Sequence, residues 1–334
     1  MQNQNSNKYR AVLNSIFGFA IFFTFSAHSD TPVAGIDPDR ITISGVSSGA
    51  NMANQLHLAF PELFSGVGMV AGVPWGCAEG SLTTAFSRCM AQAGDNLDAQ
   101  SLLNDLSAAE ENGAIGNQAL LADDRAWLFH GQLDTVVGQT VMDAAAGLYR
   151  ELLPPANVNY VTEIEAAHNF PTLSEGSACD ATEAPYLGNC NYDTAGQILQ
   201  FLYPEIEAAD HQPVTSPIEV AISGESAGIG NAAWLYIPPG CETPDAQCGL
   251  HLVLHGCSQS HAQVGMDFIT GSGFLPWAAG NDIVLAFPQA VSSAVNPLAC
   301  WDWWGYTGED YLSRDGAQLN FLAQWVRSLA GLTE

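Results

Sequence analysis

Basic residues are scarce. The chain of 334 residues holds one lysine, Lys8, and seven arginines against 35 acidic residues, a formal net charge of −27. A nucleic-acid partner needs clustered positive charge to displace counterions from phosphates, so that class of partner is excluded. No apolar run reaches the roughly 20 residues that a membrane-spanning helix needs. There is no low-complexity tract, linker-like Ser/Pro run or internal repeat. No CxxC or HExxH spacing marks a zinc site. Neither a metal nor any other cofactor is expected.

So many like charges with so few partners repel one another, and salt screens that repulsion. The balance resembles that of salt-adapted secreted proteins, although solubility alone is the plainer account. It speaks of habitat rather than chemistry.

The first 29 residues differ from the rest. Lys8 and Arg10 precede the apolar stretch 11–25, small residues follow at Ser26, Ala27 and Ser29, and the first acid is Asp30. This is the layout of a secretory signal peptide, with cleavage expected between Ala27 and Asp30. A membrane anchor is the alternative, but Asn14 and Ser15 interrupt the stretch. Residues 30–334 then form a single domain, exported and expected to be monomeric. All eight cysteines lie in it. An even count in an exported chain reads as disulfides. Connectivity does not follow from sequence, and pairing of neighbours is the simplest arrangement: Cys77–Cys89, Cys179–Cys190, Cys241–Cys248 and Cys257–Cys300.

Strands are expected at 40–44, 67–71, 127–129, 158–164, 250–254 and 283–287, with a hairpin of 218–222 and 234–237. Helices are expected after residue 47, over 141–153, from the N-cap Asp193, and over about 318–330, stopped by Gly331. Strands alternating with helices predict an α/β fold with a mainly parallel central sheet flanked by helices.

Strand, then Gly45-Val46-Ser47-Ser48-Gly49, then helix is the nucleophile-elbow pattern. A sharp turn presents Ser47, the glycines allow close backbone approach, and the free amides at the helix start can stabilise an oxyanion. The Ser48 amide is the natural first donor. A second match, Gly224-Glu225-Ser226-Ala227-Gly228, lacks the helix after it and reads as a hairpin turn.

A nucleophilic serine needs a base, and the base needs an orienting acid. Asp134 and His168 each lie just past a strand, in the order this fold uses. Asp123 and Asp124 precede their strand and fall at its opposite edge. His28 leaves with the signal. His57, His130 and His251 read as structural, and His211 and His261 as loop or surface residues. One feature departs from the usual order. The strand ending in His255-Gly256, whose loop normally donates the second oxyanion amide ahead of the nucleophile, comes about 200 residues after it. Joining the C-terminus to residue 30 restores the order, so a circular permutation of an α/β-hydrolase is expected. It requires neighbouring termini and makes the Cys257 amide the second donor.

Together GVSSGANMA, HGQLDTVVG, HNFPT, GNCNYDTAG, LHGCSQS and CWDWWGY resemble the extracellular polyhydroxybutyrate depolymerases, above all the circularly permuted single-domain type. The resemblance covers essentially all of residues 30–334. It implies four disulfides, nucleophile Ser47, acid Asp134, base His168, oxyanion amides at Ser48 and Cys257, and a substrate-contacting tryptophan at Trp303. It implies a solid or oligomeric polyester as substrate, gripped by the catalytic domain itself. Trp75, Trp301, Trp304 and Tyr306 are read as further lining of an apolar crevice, with core packing the competing account for each. Another secreted carboxylic-ester hydrolase, such as a feruloyl or acetylxylan esterase or one acting on synthetic polyesters, is the alternative. A non-catalytic polymer-binding protein on the same scaffold is the reading from a different class.

Overall fold

The structure, a computed structural model, describes Met1, Val33 and residues 35–90, 97–207 and 215–332. The expected signal segment, Met1 apart, lies outside the described residues, as do His28 and His211.

Alternation of Ile41 and Ile43 with Thr42 and Ser44 builds a central strand buried on both faces. The strands are β1 (Ile36–Val46), β2 (Gly66–Val70), β3 (Arg125–Phe129), β4 (Val158–Val161), β5 (Phe170–Thr172), β6 (Ser177–Ala178), β7 (Leu187–Asn189), β8 (Ile218–Ala221), β9 (Ala232–Tyr236), β10 (Cys248–Leu254) and β11 (Ile283–Phe287). The main sheet runs β4-β3-β2-β1-β10-β11-β9-β8. Its first six strands are parallel, and β9 is antiparallel to both β11 and β8. The fold is therefore α/β, with a mainly parallel central sheet flanked by helices.

Burial on both faces explains why β2, β10 and β11 are apolar almost throughout. Alternate residues feed two cores. Leu250, Leu252, Leu254, Val284 and Ala286 face the core shared with helices Ser48–Ala59, Gln139–Leu152 and Ala317–Leu329. Val253, Ile283, Leu285 and Phe287 face the one shared with helices Thr194–Leu202 and Phe274–Gly280.

Most expected elements are present. Asp193 caps its helix through Gly196 N–H at 2.9 Å. β4 stops at Val161, three residues short of the expected end. The small sheet β5-β7-β6 was not anticipated. Its strands of two or three residues are too short to show a period. GESAG forms the turn between β8 and β9, with Gly228 at φ 73° and Ser226 exposed. The four disulfides join Cys77–Cys89, Cys179–Cys190, Cys241–Cys248 and Cys257–Cys300. Ahead of β1, Val33 N–H donates to Leu329 O, at the end of helix Ala317–Leu329, at 2.9 Å.

Candidate active site

Parallel strands open their C-terminal ends toward one edge of the sheet, and three of those ends carry the candidate residues. Ser47 follows β1 directly. Its φ of 55° and ψ of −122° lie where a non-glycine residue is strained, a conformation held only when the surroundings over-determine it. Here they do. Ser47 N–H is bonded to Val70 O at 2.8 Å. A Cβ on Gly45 would lie 2.3 Å from the Gly49 carbonyl carbon, and one on Gly49 would lie 2.3 Å from Leu254 O and 2.5 Å from His255 O. Only glycine lets β1, the helix start and the exit of β10 meet this closely.

The loops after β3 and β4 run side by side. Gln132 N–H reaches Ile164 O at 2.9 Å, and Leu133 N–H reaches Ala166 O at 3.0 Å. This pairing brings Asp134 to His168. Asp134 Oδ1 accepts the Val136 and Val137 amides at 2.8 and 3.0 Å. Oδ2 lies 2.7 Å from His168 Nδ1, and His168 Nε2 lies 2.9 Å from Ser47 Oγ. A carboxylate only accepts, so Nδ1–H is the donor and Nε2 is free to take the serine proton. Asp134 and His168 are buried, while Ser47 is partly exposed. His168 is steadied by its backbone N–H, which donates to Thr182 Oγ1 at 3.1 Å.

The remaining described histidines are held elsewhere. His57 pairs with Asp124 at 3.1 Å, on the far side of β3 from Asp134. His130 Nε2 bonds Val137 O at 3.0 Å. His251 sits between Thr42 and Ser44 at 2.7 and 2.8 Å, and burial lowers its pKa to about 3. Burial also lowers that of His255 to about 4. His255 Nδ1–H donates to Gly256 O at 2.7 Å, and Nε2 accepts Ala290 N–H at 3.1 Å. His261 packs on Trp234, with ring centroids 4.1 Å apart.

Ser48 opens the helix, and Cys257 lies in the turn after β10, tied by its disulfide to Cys300. Gly256 abuts the serine, where a Cβ would be 3.4 Å from Ser47 Cβ. Neither the Ser48 nor the Cys257 amide donates to a protein group among the described residues.

The aromatic segment divides. Trp303 is partly exposed and meets Trp304 edge-on, with centroids 5.6 Å apart. Trp304 and Trp75 are largely buried. The Tyr306 hydroxyl is engaged, donating to Cys300 O at 2.8 Å and accepting from Gln318 Nε2 at 2.9 Å, and burial pushes its pKa up. Trp301 departs from expectation. It is fully buried, donates its indole N–H to His255 O at 3.0 Å and its backbone N–H to Ser48 Oγ at 3.3 Å, and so faces protein rather than a crevice. Asp302 organises the turn, accepting the Trp304, Gly305 and Tyr306 amides on Oδ1 and the Thr307 amide and hydroxyl on Oδ2. Neither Asp302 nor Gln259 was singled out from sequence. Their only signal was membership of the CWDWWGY and LHGCSQS motifs.

No protein-family profile matches the chain. The poly(3-hydroxybutyrate) depolymerase of Delftia acidovorans is 39% identical over 294 residues, which is 86% of this chain and 59% of that protein. The chain thus spans about three fifths of that relative's length. The polyhydroxybutyrate depolymerase of Talaromyces funiculosus is 30% identical over 316 residues, covering 89% of this chain and 91% of that one. The crystal structure of the PHB depolymerase from Penicillium funiculosum superposes with a TM-score of 0.83 at 30% identity, over 91% of this chain and all of the other. A serine-to-alanine PHB depolymerase variant complexed with an R3HB trimer superposes with a TM-score of 0.84 over the same share. Kinship along nearly the whole length of the Talaromyces protein, on the same backbone, shows that the chain belongs to the polyhydroxybutyrate depolymerase family.

Proposed function

We propose that the protein is a secreted serine esterase that hydrolyses the ester bonds of poly(3-hydroxybutyrate) or a related short-chain polyhydroxyalkanoate. The observation that carries this is the hydrogen-bonded chain Ser47–His168–Asp134 at the ends of β1, β3 and β4. His168 takes the Ser47 proton as Oγ attacks a backbone ester carbonyl. The oxyanion rests on the Ser48 and Cys257 amides, and the alcohol end of the chain leaves with the proton from His168. Water activated by His168 then releases a 3-hydroxyacid oligomer or monomer. The names of the relatives favour the polymer as substrate. Partly exposed Trp303 suits a subsite for its uncharged acyl units. Trp304 meets its ring edge-on and Tyr306 packs on Trp304, while Trp75 is largely buried. The exposed side chains of Leu133, beside Asp134, and of Val291, Val295 and Leu298, on the loop leading to Cys300, suit contact with a solid polyester.

Four disulfides favour export, in keeping with a signal segment at 1–29 and one catalytic domain over 30–334. The order β8-β9-β11-β10-β1-β2-β3-β4 follows the chain, apart from one exchange of β10 and β11, when the chain is read from β8 through the C-terminus into β1. The bond from Val33 to Leu329 brings the required ends together. Both favour the permuted reading.

The test is clearing of a polyhydroxybutyrate suspension by the purified protein beside Ser47→Ala and Ser226→Ala. Clearing by the unmodified protein and Ser226→Ala, but not by Ser47→Ala, is expected. Cleavage of soluble short-chain esters without clearing would move the substrate to another esterase class. No ester cleavage and no fluorophosphonate labelling would leave the polymer-binding scaffold.

A further inference from the structure

Gln259 is almost wholly buried, at 1% exposure, between two loops far apart in sequence. Its Oε1 accepts Gly256 N–H at 2.8 Å. Its Nε2 donates to Pro185 O at 3.0 Å and to Tyr186 O at 3.2 Å. Tyr186 O also accepts Phe170 N–H at 2.9 Å, two residues past His168. One side chain thus joins the turn after β10 to the loop that carries the base. The amide has a defined polarity here. Its oxygen must face the Gly256 N–H, because the NH2 is taken by two carbonyls.

We propose that Gln259 is a positioning residue for oxyanion stabilisation, fixing the Gly256–Cys257 turn against Ser47 and the His168 loop. The inference rests on the reading of Ser47 as nucleophile. Gly256 is the joint through which the effect passes. Its N–H is held by Gln259 Oε1 at 2.8 Å, and it lies so close to the nucleophile that a Cβ added to it would be 3.4 Å from Ser47 Cβ. Holding its amide fixes the peptide just before the one that presents the Cys257 amide, and the carbonyl of that second peptide, Gly256 O, accepts the backbone N–H of Gln259 at 3.3 Å and His255 Nδ1–H at 2.7 Å. Donors for an oxyanion act through preorganisation, so loosening one lowers transition-state binding more than substrate binding.

The substitutions separate the roles. Gln259→Leu removes all three bonds at similar volume. Gln259→Glu keeps the shape and the acceptor, but as a carboxylate it faces two carbonyl oxygens. Protonated, it can accept on one oxygen and donate from the other, so acid should restore the link.

The experiment is kinetics on p-nitrophenyl butyrate, with inhibition by an alkyl boronic acid, whose tetrahedral adduct on Ser47 puts an oxygen in the hole. For Gln259→Leu, kcat is expected to fall roughly 10- to 100-fold with KM little changed, a part of what loss of a whole oxyanion donor removes. Boronate affinity should fall with it. For Gln259→Glu, activity relative to the unmodified protein should climb as the pH falls. A Gln259→Leu kcat within about twofold of the unmodified value, or a fall in kcat with unchanged boronate affinity, overturns the proposal. If Gln259→Leu does not fold, the Gln259→Glu comparison decides, and a pH-independent ratio overturns it. If the unmodified protein cleaves no ester and Ser47 takes no fluorophosphonate label, the esterase reading fails and this inference falls with it.

Discussion

The indole N–H of Trp301 donates to the backbone carbonyl of His255 at 3.0 Å, from a ring with no exposed surface. Its backbone amide reaches Ser48 Oγ at 3.3 Å, so Trp301 touches both strand exits that present the proposed oxyanion amides. Trp301→Phe should keep most of the packing but leave the His255 carbonyl buried and unpaired, at a cost of about 1–3 kcal/mol. Trp301→Ala adds a cavity and should cost about 3–5 kcal/mol. Urea unfolding measures both. A raised KM with stability unchanged in Trp301→Phe would mean that the ring meets substrate instead.

Asp134→Asn tests the tautomer. The asparagine oxygen can keep the Val136 and Val137 amides, which turns its NH2 toward His168 Nδ1. That nitrogen must then accept, the proton moves to Nε2, and Nε2 can no longer take the proton of Ser47. A fall in kcat of about 10⁴-fold is expected from the same exchange in other Ser-His-Asp enzymes. The melting temperature should change little, because the bonding geometry survives. An Asp134→Asn protein retaining a tenth of the activity would remove Asp134 from the proposed mechanism.

Much of this site was legible because its chemistry needs local sequence. A nucleophile elbow requires a strand, two glycines in contact with other backbone and a helix, and all three stand within twenty residues of Ser47. Asp134 and His168 were legible by order, each just past a strand. The roles of the tryptophans were not. Trp301 and Trp303 sit two residues apart in one turn, and only the packing of Asp302 at its centre decides which ring points inward. The helix after Ser47 is a further case: Met52, Leu56 and Leu58 are its large apolar side chains, yet all twelve residues are buried. Its polar residues hide because they are paired, Asn51 with Val73 N–H and Gln55 with the Asp302 and Tyr311 carbonyls. Gln259 gave no periodic signal at all, since two of its three partners, Pro185 and Tyr186, lie more than seventy residues away.

Gly49→Ala should be severe for a residue inside a helix. Alanine ordinarily favours a helix over glycine, yet here its Cβ would lie 2.3 Å from Leu254 O. Backbone has to move, and overpacking of this kind costs about 1–3 kcal/mol. The movement would separate β10 from the helix start and so part Ser48 from Cys257. Thermal melting and the rate of fluorophosphonate labelling should both decline. A stabilised Gly49→Ala protein would show that the exit of β10 yields easily.

The Cys257–Cys300 bridge closes a loop with a sequence separation of 43. Replacing both cysteines by serine should cost roughly 4 kcal/mol on the chain-entropy account. The same loop carries Val291, Val295 and Leu298, and Ser258 N–H is bonded to Leu298 O at 2.6 Å. Clearing of solid polymer should therefore fall more than cleavage of a soluble ester. Equal losses on the two substrates would separate the loop from polymer contact.

The buried histidines give acid sensitivity a sign. His251 and His255 are held neutral, with values lowered to about 3 and about 4 by burial. In the unfolded chain each returns to about 6.5. Between about pH 6.5 and 4 the unfolded state therefore binds up to two more protons than the fold. Stability rises with pH through that window and is lost as pH falls, by about 1.4 kcal/mol per pH unit for each proton. Protonation of the many carboxylates acts at the same time, so the difference between two proteins is the cleaner measure. His251→Gln retains a polar group between Thr42 and Ser44 but cannot titrate. It should be less stable at neutral pH, and its stability should fall less steeply with acid, by about one proton between pH 6 and 4.5. Urea midpoints across that range measure the slopes. Parallel slopes for the two proteins would mean that His251 takes up its proton equally in the folded and unfolded chain.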